Sequence, residues 1–383
     1  MIKYLIWLQQ ALGYGNARAV KAIEYFGGAH NIFCASEDKR KDSGVFTVKD
    51  LKALAETSIS ITNKIISDCD DNDIKIIGFG EQGYPYCLSV IENPPLVLYV
   101  KGELLSFDDI PSICIVGPRN VSEFGKKAAY SLAYRLAKSG ITIVSGGALG
   151  TDTFAHLGAL KADGKTVLCL GCGIMDNYLS ENKQLRENVS NKGCLISEYP
   201  PFAKPSKFTF PMRNRILSAL SLGTVVIEAG EKSGALITAR HANEQGRDVF
   251  VIPGSPKQKE YIGSNALLRD GAKPLLDASD IFNEYIMRFP DKINIEKAYS
   301  EPIITHKKSV QNTNKEKNQK NLNETLSKEA KIVYNCLDKQ KFYPDEIKDT
   351  GLTSEQVLSA LIELEMEFLI KALPGGMYGI SER

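Results

Sequence analysis

The sequence predicts an α/β protein with a doubly wound, mostly parallel sheet, flanked by an N-terminal helical domain and a C-terminal winged helix. Three observations lead to this prediction: apolar runs alternate with helical patterns in the middle of the chain, short helical repeats precede them, and three helical patterns and a hairpin pattern follow. At 383 residues the chain has room for two or three domains. We expect a helical domain over residues 1–80, an α/β domain over 81–285, a flexible linker over 286–326 and a winged helix over 327–383.

The central region carries the strand signals. Continuous runs of Val, Ile and Leu are typical of parallel strands that are buried on both faces. The predicted strands are 113–117, 141–146, 166–171, 194–199, 224–229 and 248–254, and the predicted helices between them are 124–138, 152–162, 182–191, 213–221 and 234–245. Strands that alternate with helices in this way predict a doubly wound sheet.

Both ends of the chain are predicted to be helical. In residues 1–80 apolar residues recur at helical spacing and glycines interrupt the pattern, as in sterile-alpha-motif or helix-hairpin-helix modules, although a small packing domain accounts for it equally well. Near the carboxyl end, KIVYNCLD, PDEIKDTG and TSEQVLSALIELEME are predicted helices and FLIKALPGGMYGI is a predicted hairpin with its turn at Pro374-Gly375-Gly376. The third helix is rich in glutamate, which favours protein contact over binding in a DNA groove. The Lys/Asn/Gln-rich segment before them predicts a solvated linker.

Charge and cysteine content limit the cellular compartment in which the protein works and the ligands that it can bind. Lys and Arg total 47 against 46 Asp and Glu, so a nucleic-acid site would have to be a local patch on a balanced protein. No apolar run reaches the roughly 18 residues that span a bilayer, and the cysteines show no disulfide spacing, so we expect a cytoplasmic protein without a membrane partner. Cys169 and Cys172 form a lone C-x-x-C with no further zinc ligand nearby, and we predict no metal and no cofactor.

Two glycine-rich loops follow the first two central strands, where open α/β sheets bind their ligands. Glycine allows the backbone to approach an anion, and the amides at a helix N-terminus point towards it. The loops therefore indicate a phosphate cradle, although plain connectors have the same composition. Neither G-x-G-x-x-G nor G-x-x-x-x-G-K-[ST] is present, which argues against an oxidoreductase or a P-loop protein. The candidate residues are Gly117, Arg119 and Asn120 in the first loop and Gly146, Gly147 and Gly150 in the second.

A cluster of cations and aromatic residues precedes the helix predicted at 213–221. Single-stranded nucleic acid needs positive charge for its phosphates and flat rings for its bases, and we assign these roles to Lys207, Phe210 and Arg213, with Asn214 beside them. For Phe208 and Arg215 a structural role is a serious alternative, with the ring in the core and the arginine bridging a carboxylate such as Glu228. We expect Glu228 to orient an arginine rather than to act as a catalytic acid.

The order of these motifs resembles the DNA-processing protein A (DprA/Smf) family from about residue 83 to 275. The matching segments are GYP to KG (83–102), VGPRNVSEFG (116–125), SGGALGTDTFAH (145–156), SEYPP (197–201), FPMRNRILSALS (210–221), VVIEAGEKSGALITARHANEQGR (225–247), VIPGS (251–255) and NALLRDGA (265–272). The resemblance implies an extended Rossmann-like domain that binds single-stranded DNA in a basic pocket. It also implies a homodimer that loads RecA recombinase during natural transformation of competent cells. Single-strand-binding protein is a further candidate partner.

Carried over by position, the resemblance assigns phosphate contacts to Arg119 and Lys207, a base contact to Phe210 and backbone amides to the Gly146–Gly150 loop. The chain departs from the family pattern at Pro118, where Ser is usual, and at Thr151, where Ile is usual. A third departure is Tyr178-Leu179-Ser180 in place of Tyr-Pro. The first of these removes a hydroxyl beside Arg119.

Two other classes of function remain open from the residues alone. The α/β domain also resembles lysine-decarboxylase-like nucleotide phosphoribohydrolases, with Glu228 as the candidate acid together with Asp152. Those enzymes carry Pro-Gly-Gly-x-Gly-Thr before a catalytic Glu, and this chain has EAGEKSGALIT instead. The second of these classes is a scaffold protein whose helical ends bind partner proteins. We therefore expect a binding protein with no catalytic residue.

Overall fold

A computed structural model describes residues 1–300, 326–337, 341–347, 350–366, 369–373 and 377–380. The chain divides into two compact units, residues 1–303 and 304–383. None of the helices in the described residues combines the length and the apolar composition of a membrane-spanning segment.

Six short helices form the amino-terminal part of the first unit. They are α1 (Ile2–Leu12), α2 (Ala17–Phe26), α3 (Ala29–Cys34), α4 (Glu37–Asp42), α5 (Val48–Glu56) and α6 (Ser60–Asp70). Local chemistry sets their ends: the Asn16 side chain accepts a hydrogen bond from the Arg18 amide at the start of α2, and Gly27 ends that helix with φ +71°. Thr47 and Asp50 form a capping box at the start of α5.

A sheet of nine strands forms the centre of the first unit. The strands are β1 (Lys75–Gly78), β2 (Val97–Gly102), β3 (Ser112–Val116), β4 (Thr142–Ser145), β5 (Thr166–Leu170), β6 (Cys194–Ser197), β7 (Gly223–Val226), β8 (Asp248–Val251) and β9 (Lys273–Pro274). Their order is β1-β2-β6-β5-β4-β3-β7-β8-β9. The seven strands from β6 to β9 in this order are parallel, whereas β1 and β2 run antiparallel to their neighbours.

Helices follow most of the strands. They are α7 (Tyr86–Ser89), α8 (Glu123–Lys138), α9 (Thr151–Lys161), α10 (Lys183–Lys192), α11 (Thr209–Ala219), α12 (Ala235–Glu244), α13 (Ile262–Arg269), α14 (Ala278–Tyr285) and α15 (Ile295–Tyr299). All six predicted strands and all five predicted central helices are present, and the doubly wound prediction is confirmed. The helix predicted at 213–221 begins four residues earlier, at Thr209. The sequence analysis did not identify β1, β2 or β9.

The amino-terminal helices share a core with the sheet. Leu5, Ile6, Trp7 and Leu8 of α1 belong to one buried cluster with residues of β2, β5 and β6, including Tyr99. Residues 1–80 and 81–285 therefore do not form separate compact units in this structure. The boundary expected at residues 80 and 81 stays a prediction, and α1 packs against the sheet across it.

The segment that follows Tyr285 is also packed, although we expected a linker from residue 286. Phe289, Ile293 and Ala298 are buried. The amide of Asn294 donates to the carbonyl of Ser139 at 2.8 Å, which ties the segment to the end of α8. The compositional signal for a linker begins only after residue 300, and residues 301–325 lie outside the described part of the chain.

The second unit contains α16 (Lys328–Asn335), β10 (Lys341–Phe342), α17 (Ser354–Met366), β11 (Ile370–Leu373) and β12 (Met377–Ile380). Its three strands pair in the order β10-β12-β11, and their apolar side chains pack against α16 and α17. The predicted first and third helices and the hairpin strands are present. Among the described residues of the predicted second helix, Pro344–Glu346 form a 3₁₀ turn, and residues 348–349 and the hairpin turn at 374–376 lie outside the described residues.

Candidate nucleic-acid interface

The two glycine-rich loops lie side by side at the carboxyl ends of β3 and β4. Gly150 has φ +80°, and a Cβ atom added there would stand 2.2 Å from the carbonyl oxygen of Arg119. A Cβ on Gly117 would stand 2.3 Å from the hydroxyl of Thr151. Both glycines are therefore required for the close approach of the loops.

The start of α9 joins the two loops. The Thr151 amide donates to the Pro118 carbonyl at 3.3 Å, and the Thr151 hydroxyl donates to the same oxygen at 3.2 Å. The two departures from the family pattern thus contact each other, since the Thr151 hydroxyl holds the carbonyl of Pro118. This contact fixes the path of the chain just before Arg119.

The second loop does not offer all of its amides to a ligand. The carboxyl group of Asp152 accepts from the Ala148 amide at 3.2 Å, so this amide of the expected cradle already has an acceptor. Burial raises the pKa of Asp152, and the nearby guanidinium of Arg213 opposes that rise. Within the described residues no acceptor is found for the amides of Gly147, which is buried, and Gly150, which is partly exposed.

Arg213 lies inside the protein rather than on the surface of the site. It is 5% exposed, and its Nη1 atom donates to the carbonyl of Gly146 at 2.7 Å and to the carbonyl of Cys169. Its Nε atom donates to Asn214 Oδ1 at 3.2 Å. Here Arg213 braces the ends of β4 and β5, so it supports the loop and is not placed to clamp a phosphate directly.

Phe210 is half-buried and has a ring neighbour and a cation neighbour. The Tyr178 ring centre lies 5.0 Å from that of Phe210 with an interplanar angle of 43°. The guanidinium carbon of Arg119 lies 5.4 Å from the same ring centre. A Cβ on Gly171 would stand 2.8 Å from the Phe210 ring, so the ring lies against the backbone that follows β5. The residues expected to clamp phosphate and to stack a base are therefore in contact.

The segment just before α11 is open to solvent. Lys207 is exposed and its ammonium lies 5.1 Å from the centre of the Phe208 ring. Phe208 is 71% exposed, so the alternative that placed it in the core is wrong for this structure. Arg119 and Asn120 are also exposed, and Asn214 is half-buried. The structure thus brings three exposed cation and amide side chains and one exposed ring to the edge that holds Phe210.

Arg215 takes the structural role that was the alternative for it, but with a different carboxylate. Its Nη2 atom lies 2.6 Å from Glu198 Oε2, and both side chains are almost fully buried. Burial raises the pKa of Glu198, and the guanidinium opposes that rise. The expected partner, Glu228, instead accepts hydrogen bonds from the Ser122 amide at 3.1 Å, the Ser122 hydroxyl and the Tyr261 hydroxyl at 2.9 Å. The expectation that Glu228 orients an arginine is therefore wrong.

Two supporting residues were missed by the sequence analysis. Asn182 is buried and donates from Nδ2 to the Gly147 carbonyl and to the Thr153 hydroxyl, each at 3.0 Å. Arg186 donates to the Asp176 carbonyl at 3.0 Å and shapes the loop that carries Tyr178. The indentation that these residues line with Phe210 and Arg213 has a volume of only about 10 Å³. A ligand must therefore lie across the surface, because a nucleotide would not fit inside.

The lone C-x-x-C is part of the core. Cys169 and Cys172 are buried, and burial raises the pKa of the Cys169 thiol to about 12 and that of Cys172 to about 11. Such thiols remain protonated at neutral pH and are poor metal ligands. In the described part of the chain no group of three or more His, Cys, Asp or Glu side chains is placed to hold a metal ion.

Comparison with known proteins identifies the family. A family model described as DNA recombination-mediator protein A matches residues 75–286, more than half of the chain. The chain belongs to this family. A second model, the DprA winged helix domain, matches residues 317–376. These two models together match the α/β domain and most of the carboxyl-terminal unit.

Curated relatives agree with this family. The chain is 39% identical over 240 residues to the DNA processing protein DprA of Bacillus subtilis, which covers 63% of this chain and 78% of that protein. It is 41% identical over 204 residues to the DprA of Streptococcus pneumoniae, with 53% and 71% covered. It is 43% identical over 201 residues to protein Smf of Synechocystis, with 52% and 50% covered. This family is one of DNA-processing recombination mediators.

Two solved structures of the family share the fold. The DprA of Streptococcus pneumoniae aligns with a TM-score of 0.65 and 32% identity, over 74% of this chain and 98% of that one. The DprA of Helicobacter pylori, described for its unique single-stranded DNA binding mode, aligns with a TM-score of 0.51 and 30% identity, over 56% of this chain and 96% of that one.

Proposed function

We propose that the chain binds single-stranded DNA across the carboxyl ends of β3, β4 and β5. The observation that carries the proposal is the contact of exposed Arg119 with the half-buried Phe210, with exposed Lys207 three residues before that ring in the chain. Cations bind phosphates and rings stack on bases, and this combination binds single strands with little dependence on sequence. The DNA-binding function described for the Helicobacter pylori relative supports the same assignment.

Each side chain of the surface has a part in this proposal. Arg119 and Lys207 clamp phosphates, Phe210 stacks on a base, and Asn120 and Asn214 donate to neighbouring acceptors. The glycines of the two loops allow the backbone of the DNA strand to approach the protein backbone closely; they are Gly117, Gly146, Gly147 and Gly150. Arg213 acts indirectly, because its guanidinium is held by the carbonyls of Gly146 and Cys169. Paired bases cannot reach Phe210, so duplex DNA binds more weakly.

We propose further that the protein is a homodimer that protects incoming single strands and loads RecA recombinase onto them in the cytoplasm during natural transformation. Single-strand-binding protein is a further proposed partner. The membership of the DNA recombination-mediator family supports these roles. In this proposal the winged helix contacts protein, and the amino-terminal helices stiffen the sheet that carries the site, since they share its core.

The experiment that tests the DNA site is fluorescence anisotropy with a labelled oligo-dT of about 20 nucleotides and its duplex over a salt series. We expect salt-sensitive binding that prefers the single strand, with a slope of about −0.7 in log affinity against log salt for each phosphate contacted. Lys207→Ala should weaken binding and flatten the slope by about that amount. Lys21→Ala, an exposed lysine on α2, is the matched control and should leave both unchanged.

Equal binding of duplex and single strand, or binding that Lys207→Ala leaves intact, would move the site elsewhere. A nucleotide phosphoribohydrolase is the second candidate, and the surroundings of Glu228 do not favour it. That carboxylate is fully buried, and it already accepts hydrogen bonds from Ser122 and Tyr261. Free adenine released from AMP would establish hydrolysis, and its absence would support a binding protein.

A further inference from the structure

The interhelical turn, residues 13–16 between α1 and α2, packs towards the start of α11. The centre of the Tyr14 ring lies 4.5 Å from that of Tyr199, with an interplanar angle of 55°. The Tyr199 hydroxyl donates to the carbonyl of Thr209 at 3.4 Å. Tyr199 therefore connects the interhelical turn to the first residue of α11, which directly precedes Phe210.

Gly15 makes a second contact with α11, two residues beyond Phe210. Gly15 has φ +64°, and a Cβ atom added there would stand 2.5 Å from Met212 Sδ. The Arg215 Nε atom donates to the same sulfur at 3.4 Å. The amide of Gly15 also opposes the rise in the pKa of Glu198, the buried partner of Arg215. The interhelical turn is thus fitted closely against α11.

The first turn of α11 has one face towards the interhelical turn and another towards the proposed DNA site. Residues three or four apart on an α-helix share a face. Thr209 and Met212 lie on the face towards the interhelical turn. Phe210 and Arg213 lie on the face towards the ends of β4 and β5. Because a helix moves as a rigid element, a change at the first face shifts the Phe210 ring on the second.

The start of α11 has no side-chain cap. Phe208 occupies the N-cap position, and its ring cannot accept hydrogen bonds from the first amides of the helix. The Thr209 hydroxyl donates to the Ser206 carbonyl at 3.0 Å, which closes a local turn only. The hydroxyl of Tyr199, whose ring packs on Tyr14, attaches this first turn to the rest of the protein.

We propose that Tyr14 and Gly15 are positioning residues for the single-stranded-DNA site. They act through Tyr199 and Met212, which hold the first turn of α11 and with it the ring of Phe210. This inference rests on the proposed function, and neither positioning residue contacts the DNA. The amino-terminal helices thereby set DNA affinity separately from their contribution to the stability of the sheet.

The test is fluorescence anisotropy of labelled oligo-dT with variants of the full chain. Tyr14→Ala removes the ring that packs on Tyr199. It should weaken binding roughly three-fold or more, but less than Phe210→Ala does, because the stacking ring is displaced rather than removed. Tyr14→Phe keeps the ring contact and should bind like wild type. Gly15→Ala pushes against Met212 and should weaken binding as Tyr14→Ala does.

Two controls separate positioning from stability. Gly13→Ala has a similar φ of +82° but no atom within 4 Å of the added Cβ, so it should keep the affinity that Gly15→Ala loses. Leu54→Ala removes a buried side chain of α5, and it should lower the unfolding free energy in urea without weakening oligo-dT binding. A chain that stays almost fully folded keeps its Kd, because the apparent affinity depends only on the competent fraction.

A double-mutant cycle between Tyr14 and Phe210 tests the route. If Tyr14 acts by placing the ring, Tyr14→Ala should cost little further affinity in a chain that already carries Phe210→Ala. Fully additive losses would overturn the proposal.

Two other results would also overturn it, namely wild-type affinity in Tyr14→Ala or Gly15→Ala, and an equal loss of affinity in Leu54→Ala. If wild type binds oligo-dT and Phe210→Ala weakens that binding while the turn variants do not, this inference alone fails. If wild type does not bind the single strand, the proposed function fails with it.

Discussion

The guanidinium of Arg119 covers part of the ring of Phe210, with 5.4 Å between the guanidinium carbon and the ring centre. Tyr178 approaches the same ring at 5.0 Å. A base that stacks on Phe210 therefore meets either a cation or a second ring at this surface. Arg119 is exposed, so it can move from the ring to a phosphate when a strand binds.

Replacing the stacking ring should weaken DNA binding without changing its dependence on salt. Stacking contributes about 1–3 kcal/mol per base, so Phe210→Ala should lower the affinity for oligo-dT by roughly 5-fold to 150-fold at constant salt slope. Anisotropy measures both quantities. Phe208→Ala serves as the comparison, since that ring is exposed and lies beside the Lys207 ammonium. If the two variants lose equal affinity, Phe210 is not the preferred platform.

The residues of this surface illustrate which parts of the structure could be predicted. The central strands were predicted because strands buried on both faces need continuous apolar runs, which are visible locally. The burial of Arg213 was not visible, because it depends on carbonyls of Gly146 and Cys169 that are 67 and 44 residues away in the chain. Phe208 and Phe210 lie two residues apart in the same segment, and the sequence alone does not distinguish their roles. Which ring is exposed depends on how α11 packs against β5.

The contact between the two glycine loops should be sensitive to a single methyl group. Gly150→Ala combines an unfavourable positive φ with a collision against the Arg119 carbonyl, and we expect a loss of about 2–4 kcal/mol in unfolding free energy. Gly246→Ala has a similar φ of +66° but no atom within 4 Å of the added Cβ, so it should lose only about 1 kcal/mol. Urea unfolding of both variants measures the difference. Equal losses of unfolding free energy would mean that the two loops move apart to accommodate the methyl group at little cost.

The buried ion pair should be costly to break from one side. Arg215→Met leaves the charge of Glu198 inside the protein without its partner, and we expect a loss of about 3–5 kcal/mol in unfolding free energy. The exposed pair of Lys52 and Glu56 is a suitable reference, and Lys52→Ala should change stability by less than about 0.5 kcal/mol. Denaturant unfolding at neutral pH tests both. A small loss in Arg215→Met would imply that Glu198 takes up a proton readily.

The buried imidazole of His156 should make stability depend on pH. Its Nδ1 lies 2.8 Å from the Thr166 hydroxyl, its Nε2 is buried without a partner, and burial, assisted by Arg213, lowers its pKa to about 3. The unfolded chain therefore binds a proton below about pH 6.5 that the folded chain does not, so this contribution to stability falls as the pH falls from 6.5 towards 3.

The variant His156→Gln isolates this effect. Between about pH 7.5 and pH 5, wild type should lose roughly 2 kcal/mol more unfolding free energy than the variant does. Asp152 and Glu198 have raised pKa values and change stability in the opposite direction, but they are present in both proteins. Parallel pH profiles for the two proteins would show that His156 is protonated in the fold.

Several further features of the structure could not be predicted from the sequence pattern. The Glu228 partners were predicted incorrectly because the hydroxyls of Ser122 and Tyr261 reach it from two different loops. The short edge strand β9 has only two residues, too few to produce a period of two. In the carboxyl-terminal unit, Pro344 begins a 3₁₀ turn within the segment PDEIKDTG, for which we predicted a helix.

The packed segment after Tyr285 determines where the α/β unit can be cut. Phe289 and Ile293 bury their side chains, and Asn294 is anchored to the end of α8. A chain shortened to residue 286, where the match to the family model ends, would leave the apolar surface beneath these residues open to water and prone to self-association. Proteases should spare this segment in the folded protein, because cleavage needs an extended, accessible backbone. A stable fragment of the amino-terminal unit therefore has to include Ala298, the last buried residue of this segment, and cannot end at Ile286.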